Sequence, residues 1–431
     1  MRNVIICICI TICSCLSVSP TLAQLIQPSD LSYRGAFRLP EGSGDSDWTW
    51  SGDGMTYYPG GDPGGAGDGY PGSIFATGLD TEQYVSEISI PAPVISAAKN
   101  VEELPTAATL QTFHNIRGDL FGHLDFELPR AGLQYLPRQA GQDSDKLYFT
   151  WGQHQQQGAT DPALGWCNLN LASPGSVGAW RIGDYLNQVT TDYLFEIPSS
   201  WASVHTPGKF LAAGRYQDGG QGGEGPAIFA CGPWNDGNPP EGGSTIDAVP
   251  LLLYQNVEDE NPRAMNDYHH SDEWSGGAWL TAGNRSAVIF VGTKGKGDCW
   301  YGNPAGPCHD CDNRGWWSTT FEGQIIFYNP ADLAAVAAGR MAAYEPQPYA
   351  TMNIDDVLFH ITSSQQWYHV NAVSFDRERG HLYVFESLAD VDDKSLVHVW
   401  SVEDGVSGRN SATGETGVGG LFRKLQEKWG L

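Results

Sequence analysis

The sequence predicts an almost entirely β-stranded fold, and three observations support this prediction. Gly (53) and Pro (26) recur throughout the 431 residues, and both residue types interrupt helices and mark turns between short strands. Runs of Leu, Ala, Glu and Lys that form long amphipathic helices are nearly absent, so that only residues 331–341 and 422–429 have a helical pattern. Short apolar segments also recur at a regular spacing along the chain.

The first residues have the features of a secretory signal peptide. Met1-Arg2-Asn3 supplies the charged start, residues 4–18 form the apolar run, and small residues lead to Ala23. Cleavage after Ala23 predicts a secreted or periplasmic protein. The alternative, a lipoprotein, rests on residues 12–15, Ile-Cys-Ser-Cys, which only loosely resemble a lipid-attachment site. Beyond this region no stretch reaches the roughly 18 apolar residues of a membrane helix, so no membrane span is predicted.

A repeat of roughly eighty residues organises the rest of the chain. In each copy a short strand-like segment leads through a polar or Gly-containing turn into a second, more apolar segment. The first segments are predicted at residues 54–59, 132–137, 201–207, 277–283 and 371–376. The second segments are predicted at residues 73–78, 146–152, 209–214, 287–292 and 381–386.

Further β-like runs complete each copy. Third runs are predicted at residues 84–91, 165–171, 226–234, 323–330 and 396–402. Fourth runs are predicted at residues 108–113, 192–198, 248–254 and 349–354. The fifth copy lacks a fourth run of its own, and residues 33–40, before the first copy, are expected to supply it. Such a strand would close a ring and remove the exposed edges of an open sheet.

Five four-stranded units predict a five-bladed β-propeller over residues 24–404, closed by an N-terminal strand. Six or seven blades would result if the fourth runs and loops contain further short blades. An open sandwich is the other alternative, although sandwiches rarely consist of five similar meanders. The Gly- and Ser-rich residues 405–420 are typical of a flexible linker, and residues 421–431 of a short C-terminal helix.

Charge and cysteine content restrict the partners and the compartment. With 50 acidic and 24 basic residues, the net charge of −26 opposes binding to nucleic acid, which requires clustered cations. Four of the nine cysteines precede residue 23, and five remain: Cys167, Cys231, Cys299, Cys308 and Cys311. Disulfides of Cys299 with Cys308 or Cys311, and of Cys167 with Cys231, are expected outside the cytoplasm. A zinc site that adds His309 to the Cys299 group is the alternative, with atypical ligand spacing.

In a propeller, the loops that lead into the innermost strands meet at one face around the channel. The residues before the five first segments are rich in His, carboxylate and aromatic side chains: Asp45, Asp47, Trp48, Trp50, His123, Asp125, Glu127, Trp201, His205, Tyr268, His269, His270, Asp272, Glu273, Trp274, Trp367, His369 and Asn371. One such histidine is more often structural than catalytic. Their convergence favours a polar ligand site, provided that the histidines lie on the same face.

The aromatic content indicates the class of ligand. The chain has 15 Trp and 18 Tyr, many beside Gly, Asp or Asn, and flat rings beside hydrogen-bonding groups are suited to sugars. We expect polysaccharide contacts from seven residues: Trp48, Trp50, His123, Trp274, Trp367, His369 and Asn371. Calcium is a further expectation at the Asp-rich residues 62–68 and 390–393, although solvated turns are the more common explanation of such segments.

The sequence is compatible with three functions. A glycoside hydrolase would use paired carboxylates from Asp47, Asp125, Glu127, Asp272 and Glu273. A polysaccharide lyase would use a base among His205, Tyr216, Tyr268 and His269, with Arg215 or a cation neutralising the uronate. A non-catalytic module would use the same loops to bind a glycan or a protein at the cell surface.

The predicted architecture resembles that of the five-bladed propeller glycosidases or, with a different blade count, that of the propeller polysaccharide lyases. The resemblance is one of fold alone, because no family motif in the sequence carries catalytic residues across.

Overall fold

The computed structural model describes residues 24–122, 129–139, 141–153, 160–214, 223–255, 263–302, 315–360 and 370–403. Within these residues the chain forms 24 β-strands and two α-helices. Five antiparallel four-stranded meanders form a ring, so the prediction of an all-β, five-bladed propeller is confirmed. The predicted signal peptide, linker and C-terminal helix lie outside the described residues.

The strands are short, with one long hairpin. The first twelve are β1 (Gln24–Leu25), β2 (Leu31–Arg38), β3 (Met55–Tyr58), β4 (Ser73–Thr77), β5 (Val85–Ser89), β6 (Thr109–His114), β7 (Pro129–Arg130), β8 (Leu133–Leu136), β9 (Lys146–Thr150), β10 (Gly152–Gln153), β11 (Leu164–Cys167) and β12 (Val177–Ile182). The other twelve are β13 (Tyr193–Glu196), β14 (Leu211–Gly214), β15 (Ala227–Cys231), β16 (Thr245–Ile246), β17 (Ala248–Leu253), β18 (Glu273–Ala282), β19 (Arg285–Tyr301), β20 (Trp316–Tyr328), β21 (Ala350–Asn353), β22 (Val370–Asp376), β23 (His381–Glu386) and β24 (Leu396–Val402).

Helices occupy little of the described chain. The α-helices are α1 (Ser199–His205) and α2 (Pro330–Ala337), and the 3-10 turns are Pro28–Asp30, Pro63–Gly67, Val101–Glu103, Asn187–Val189, Pro233–Asn235 and Val391–Asp393. The helical pattern predicted for residues 331–341 corresponds to α2, which the Asn329 side chain caps at the N–H of Ala331. None of the helices in the described ranges is long and apolar enough to span a membrane.

The blades follow one another in chain order around the channel. From the channel outward, blade I is β3-β4-β5-β6, blade II is β8-β9-β11-β12, blade III is β13-β14-β15-β17, blade IV is β18-β19-β20-β21, and blade V is β22-β23-β24-β2. The innermost strands contact their neighbours in a closed cycle: β3 with β8, β8 with β13, β13 with β18, β18 with β22, and β22 with β3.

The apolar strands pack on both faces because each blade lies between two others. In β23, Leu382 and Val384 face the core shared with blade IV, whereas Tyr383 and Phe385 face the core shared with blade I. Successive side chains of a strand point to opposite faces, so a strand buried on both sides is apolar at nearly every position. Burial of each large apolar side chain contributes about 1.5–3 kcal/mol.

Strand β2 closes the ring as the sequence predicts. It pairs antiparallel with β24 from Leu31, opposite Val402, to Arg38, opposite Leu396. Since β2 precedes blade I and β24 ends blade V, this pairing joins the two ends of the described chain. Strand β1 also links the N-terminal segment to blade IV, because it pairs in parallel with the first residues of β19, Arg285 and Ser286.

Two predictions for the third repeat are wrong. Residues 201–207, predicted as an innermost strand, belong largely to α1, and the innermost strand of blade III is β13, within residues 192–198 that were assigned to the outside of blade II. The outer strand of blade II is β12 instead. In α1 the rings of Trp201 and His205 lie 4.7 Å apart, one helical turn from each other, which favours helix locally.

The predicted disulfide between Cys167 and Cys231 is not formed, because both thiols are free. Cys167 is buried between blades I and II, whereas Cys231 is buried between blades II and III. The two side chains therefore face different cores. Burial raises the pKa of each thiol to about 12, which makes them unreactive. Cys299 is also free, and its expected partners Cys308 and Cys311 lie outside the described residues.

Candidate functional site

The inner strands all begin at the same end of the channel, which we call the upper face. Gly54, before β3, approaches Ala131, before β8, so closely that a Cβ on the glycine would lie 2.5 Å from the Ala131 carbonyl oxygen. Gly276 in β18 approaches Asn371 at the start of β22 in the same way, at 2.3 Å. The opposite end, where the inner strands finish, is the lower face.

The structure divides the predicted site residues between the two faces. Those on the upper face are Trp48, Trp50, Tyr268, His269, His270, Asp272, Glu273, Trp274 and Asn371. His205 lies in α1, which connects β13 to β14 at the lower face, so it is not part of a shared site with His269. Trp201 lies in α1 with His205, and Asp45 and Asp47 precede Trp48 in the same loop. Seven predicted residues lie outside the described ranges: His123, Asp125, Glu127, Arg215, Tyr216, Trp367 and His369.

Two of the tryptophans predicted to contact substrate are completely buried. Trp48 packs against Phe113, with ring centroids 4.6 Å apart, and contributes to the core between blades V and I. Trp274 is buried in the core between blades III and IV. Their roles are therefore in packing between blades, and the prediction that they bind substrate is wrong.

Asp272 forms a buried ion pair instead of an accessible catalytic carboxylate. Its Oδ1 accepts from the Lys294 ammonium at 3.0 Å and from the N–H of Gly295 at 2.9 Å, while Oδ2 accepts from the N–H of His269 at 3.1 Å. Burial raises the pKa of Asp272 to about 6, and Lys294 and the amide donors oppose that rise. The carboxylate is thus ionised at neutral pH, and it fixes the loop that carries the histidines.

His269 and His270 are half-buried on that loop. The Nδ1 atoms of both rings are buried and have no hydrogen-bond partner among the described residues. Burial, followed by the charge of Lys294, lowers the pKa of His269 below its usual value, so its ring is neutral at neutral pH. The ring of His270 stacks on Trp316 at 4.4 Å and meets Tyr268 edge-on at 5.5 Å.

Strands β19 and β20 extend beyond the rest of blade IV at the upper face. The sequence predicts their ends at residues 292 and 323, but the pairing continues to Trp300 opposite Trp317 and Tyr301 opposite Trp316. We call residues 299–301 and 316–318 the aromatic arm. Tyr301 meets Trp316 edge-on at 5.5 Å and is 57% exposed.

Trp50 is a second exposed aromatic side chain in the described part of the upper face. Its ring is 50% exposed, and its indole N–H donates to Asp393 Oδ2 at 3.2 Å. The backbone of Trp50 has a φ of 53°, in the left-handed region that bulky residues rarely adopt. The N–H of Trp50 donates to the Asp393 carbonyl at 2.9 Å, which holds this conformation. Substrate contact by Trp50 stays a prediction.

Sequence reasoning missed a polar cluster beside Trp50. Asp53 Oδ1 pairs with Arg130 at 2.8 Å, and both side chains are nearly buried. The Gln83 carboxamide donates to Asp53 Oδ2 and, at 2.9 Å, to the carbonyl of Asp80. The available signals were the Gly-Asp-Gly directly before β3 and the Asp soon after β4. Asp53, Asp80 and Gln83 meet within blade I, and Arg130 joins them from the start of blade II.

At the lower face a single arginine links three blades. Arg377 of blade V donates to the Trp279 carbonyl at 3.0 Å and to Thr281 Oγ1 at 3.2 Å in blade IV. It also pairs with Glu196 of blade III at 3.3 Å. These side chains border an open pocket of about 330 Å³ at the end of the channel.

The Asp-rich loops act as caps in the described structure. Asp62 Oδ1 accepts from the N–H of Gly64 at 2.7 Å, and Asp390 accepts from Arg38 at 2.8 Å. Within the described ranges, no three His, Cys, Asp or Glu side chains are grouped so that they could hold a metal ion. Calcium binding stays a prediction.

No protein-family model matches the sequence, and no curated protein is similar to it. One of the solved structures that it resembles is the holo form of the PQQ domain of pyranose dehydrogenase from Coprinopsis cinerea. The similarity covers 80% of this chain and 81% of that chain, with 10% identity and a TM-score of 0.22. A likeness this weak carries no argument about fold or function.

Proposed function

We propose that this protein is an exported, carbohydrate-active propeller that binds a polysaccharide at its upper face. The observation that carries the proposal is the pair of exposed aromatic side chains there, Trp50 at 50% and Tyr301 at 57% exposure. Large rings left in solvent beside hydrogen-bonding groups are typical of binding surfaces. A sugar ring offers an apolar face to such a ring and hydroxyl groups to its polar neighbours.

The geometry around the channel supports this assignment of the face. The upper end carries the half-buried rings of His269 and His270, and His270 stacks on Trp316 of the aromatic arm. Asp272 is committed to Lys294, so we do not include it among the ligand contacts.

The proposal is tested by incubating the mature protein with neutral and uronic polysaccharides. Binding on a glycan array is measured together with new reducing ends and with the ultraviolet absorbance of unsaturated uronates. Binding to any glycan that depends on the upper face supports the proposal. New reducing ends alone would indicate hydrolysis, and unsaturated products would indicate a lyase. Failure to bind every glycan on the panel would refute the proposed function.

We expect Trp50→Ala to weaken glycan binding at least about fivefold, because truncation of an exposed aromatic contact commonly costs more than about 1 kcal/mol. Trp50→Phe, which keeps a flat ring, should retain most of the affinity. The measurement is isothermal titration calorimetry with the best oligosaccharide from the array.

A matched control is Val204→Ala on the lower face, where Val204 is 70% exposed. This substitution removes exposed apolar surface of the same kind but should leave binding unchanged. If Val204→Ala weakens binding as much as Trp50→Ala does, the assignment of the upper face is wrong.

A further inference from the structure

We infer that the lower end of the channel is a second binding site, which takes a compact neutral compound with several hydroxyl groups, such as one sugar unit. Glu196 and Gln134 would accept hydrogen bonds from its hydroxyls beside the ring of Phe375. This site lies at the opposite face from the proposed polysaccharide surface, so the inference goes beyond the proposed function and does not depend on it.

The site is an open pocket of about 330 Å³ to which every blade contributes. The five inner strands each supply a lining side chain, namely Tyr57 in β3, Gln134 in β8, Glu196 in β13, Trp279 in β18 and Phe375 in β22. A pocket with convergent polar and aromatic side chains is the usual form of a small-ligand site. Because the pocket is open, a ligand can enter it without movement of any blade.

The polar groups of the pocket are in contact with solvent. The side chain of Glu196 is 35% exposed and that of Arg377, which follows β22, is 29% exposed. Gln134 and Phe375 are half-buried. A ligand in the pocket can therefore touch these side chains directly.

The guanidinium of Arg377 already uses its donors within the protein. It donates to the Trp279 carbonyl at 3.0 Å and to Thr281 Oγ1 at 3.2 Å. Its three other hydrogen bonds go to Glu196, two to Oε2 at 3.3 and 3.4 Å and one to the backbone carbonyl at 3.4 Å. Since a guanidinium has five N–H donors, an anionic ligand would find a cation without a donor to offer.

The pocket does offer acceptors. Arg377 occupies only Oε2 of Glu196, and Oε1 accepts no hydrogen bond within the described part of the chain. The amide nitrogen of Gln134 donates to the Tyr135 carbonyl at 2.6 Å, whereas its carboxamide oxygen has no donor among the described residues. A ligand that matches these two oxygens must itself supply donors.

Charge and the aromatic ring select a neutral hydroxyl compound among the possible donors. An ammonium group at Glu196 would lie close to the positive charge of Arg377, which is 3.3 Å from that carboxylate, and would be repelled. Hydroxyl groups avoid this repulsion and form strong hydrogen bonds to a carboxylate. The Phe375 ring, centred 5.9 Å from the Arg377 guanidinium, adds apolar surface for the apolar face of a sugar.

The test is a ligand-observed NMR titration of the mature protein with glucose, myo-inositol, cellotriose, glucosamine and glucuronate. Glucose or myo-inositol should bind at least about threefold more tightly than the two charged sugars. Tighter binding of cellotriose than of glucose would identify the end unit of a glycan as the ligand, and the reverse order a free sugar. Both orders support the pocket.

Glu196→Gln should weaken binding of the neutral compound at least about fivefold, because it removes a charged acceptor. It should also strengthen glucuronate binding, because donors of Arg377 become free. Gln134→Leu should weaken neutral binding about threefold without this change in charge preference. Glu378→Gln is the matched control, since Glu378 is a 76% exposed carboxylate next to Arg377 in sequence, and it should alter neither affinity.

Circular dichroism and melting temperature establish that each variant folds, and Gln134→Leu tests the pocket even if Glu196→Gln does not fold. Binding of glucosamine or glucuronate as tight as that of the neutral compounds overturns the inference. Equal effects of Gln134→Leu and Glu378→Gln overturn it as well.

The two faces are separated by Trp50→Ala, which should leave binding in the lower pocket unchanged. If no small compound binds while polysaccharide binding depends on Trp50, the pocket is overturned and the proposed function stands. If small neutral compounds bind in a manner that depends on Gln134 while every polysaccharide fails to bind, the proposed function fails and the pocket stands.

Discussion

Lys294→Met is expected to lower the free energy of unfolding by about 3–5 kcal/mol, because it leaves a buried carboxylate without its cation. Lys294 and Asp272 are 3.0 Å apart, and their side chains are 4% and 0% exposed. The two amide donors to Asp272, from His269 and Gly295, cannot replace a full positive charge. Urea-induced unfolding at neutral pH, followed by Trp fluorescence, measures the loss.

The matched control is Lys296→Met, two residues along the same strand. Lys296 is 45% exposed and lies 3.8 Å from Glu322, so its removal should change the free energy of unfolding by less than about 1 kcal/mol. The double variant Asp272→Asn with Lys294→Met should recover much of the stability, since neither charge remains. Equal losses for Lys294→Met and Lys296→Met would contradict the importance of the buried pair.

The pH dependence has a defined sign. The pKa of Asp272 is about 6 in the folded protein, above its ordinary value of 3.8, so the folded state retains the proton over this interval. Protonation of Asp272 therefore adds to the free energy of unfolding. This addition is complete below about pH 4 and is lost as the pH rises to about 6. In Lys294→Met the pKa should rise further. The destabilisation should therefore decrease when unfolding is measured at pH 5 instead of pH 7.

The fold was predictable where strand pattern and turn residues agree. Blades I, II, IV and V have inner strands at the predicted places because apolar runs such as that of β23 are bounded by turn residues, including Gly380. The aromatic arm was missed because Gly295 and Gly297 suggest the end of a strand. In the folded chain, Gly295 is required within β19, since a Cβ there would lie 2.1 Å from Ser271 Oγ.

The sequence predicted on which face the candidate site lies, but not which of its side chains are exposed. The rule that loops into the inner strands share one face placed Trp50, His269 and Asn371 together on the upper face. The same rule could not separate exposed Trp50 from buried Trp48, because their exposure depends on contacts between blades. The Asp53 and Asp80 cluster has no sequence motif either, since the partners are brought together by tertiary pairing.

A second large loss of stability is expected where β2 pairs with β24 to close the ring. We expect His398→Ala to lower the free energy of unfolding by about 3–5 kcal/mol, because it removes a buried ring and leaves Glu386 short of a partner. His398 Nε2 lies 2.7 Å from Glu386 Oε2, and both residues are completely buried. His398 Nδ1 lies 2.9 Å from the hydroxyl of Tyr33 in β2. Chemical unfolding of the wild-type and variant proteins measures the difference.

The side chains of Tyr33, His398 and Glu386 form a hydrogen-bond network that joins β2 to blade V in addition to the backbone pairing. Glu386 also accepts from the N–H groups of Phe359 and His360, each at 2.7 Å, so its carboxylate connects a loop, a central strand and the closing strand. Tyr33→Phe, which removes only the hydroxyl, is the control and should cost about 1 kcal/mol. Hydrogen exchange should then show earlier opening of β2 in His398→Ala than in the wild-type protein. Loss of protection in blade II before β2 would contradict the role of this network in closure, because the ring would then open at a different junction.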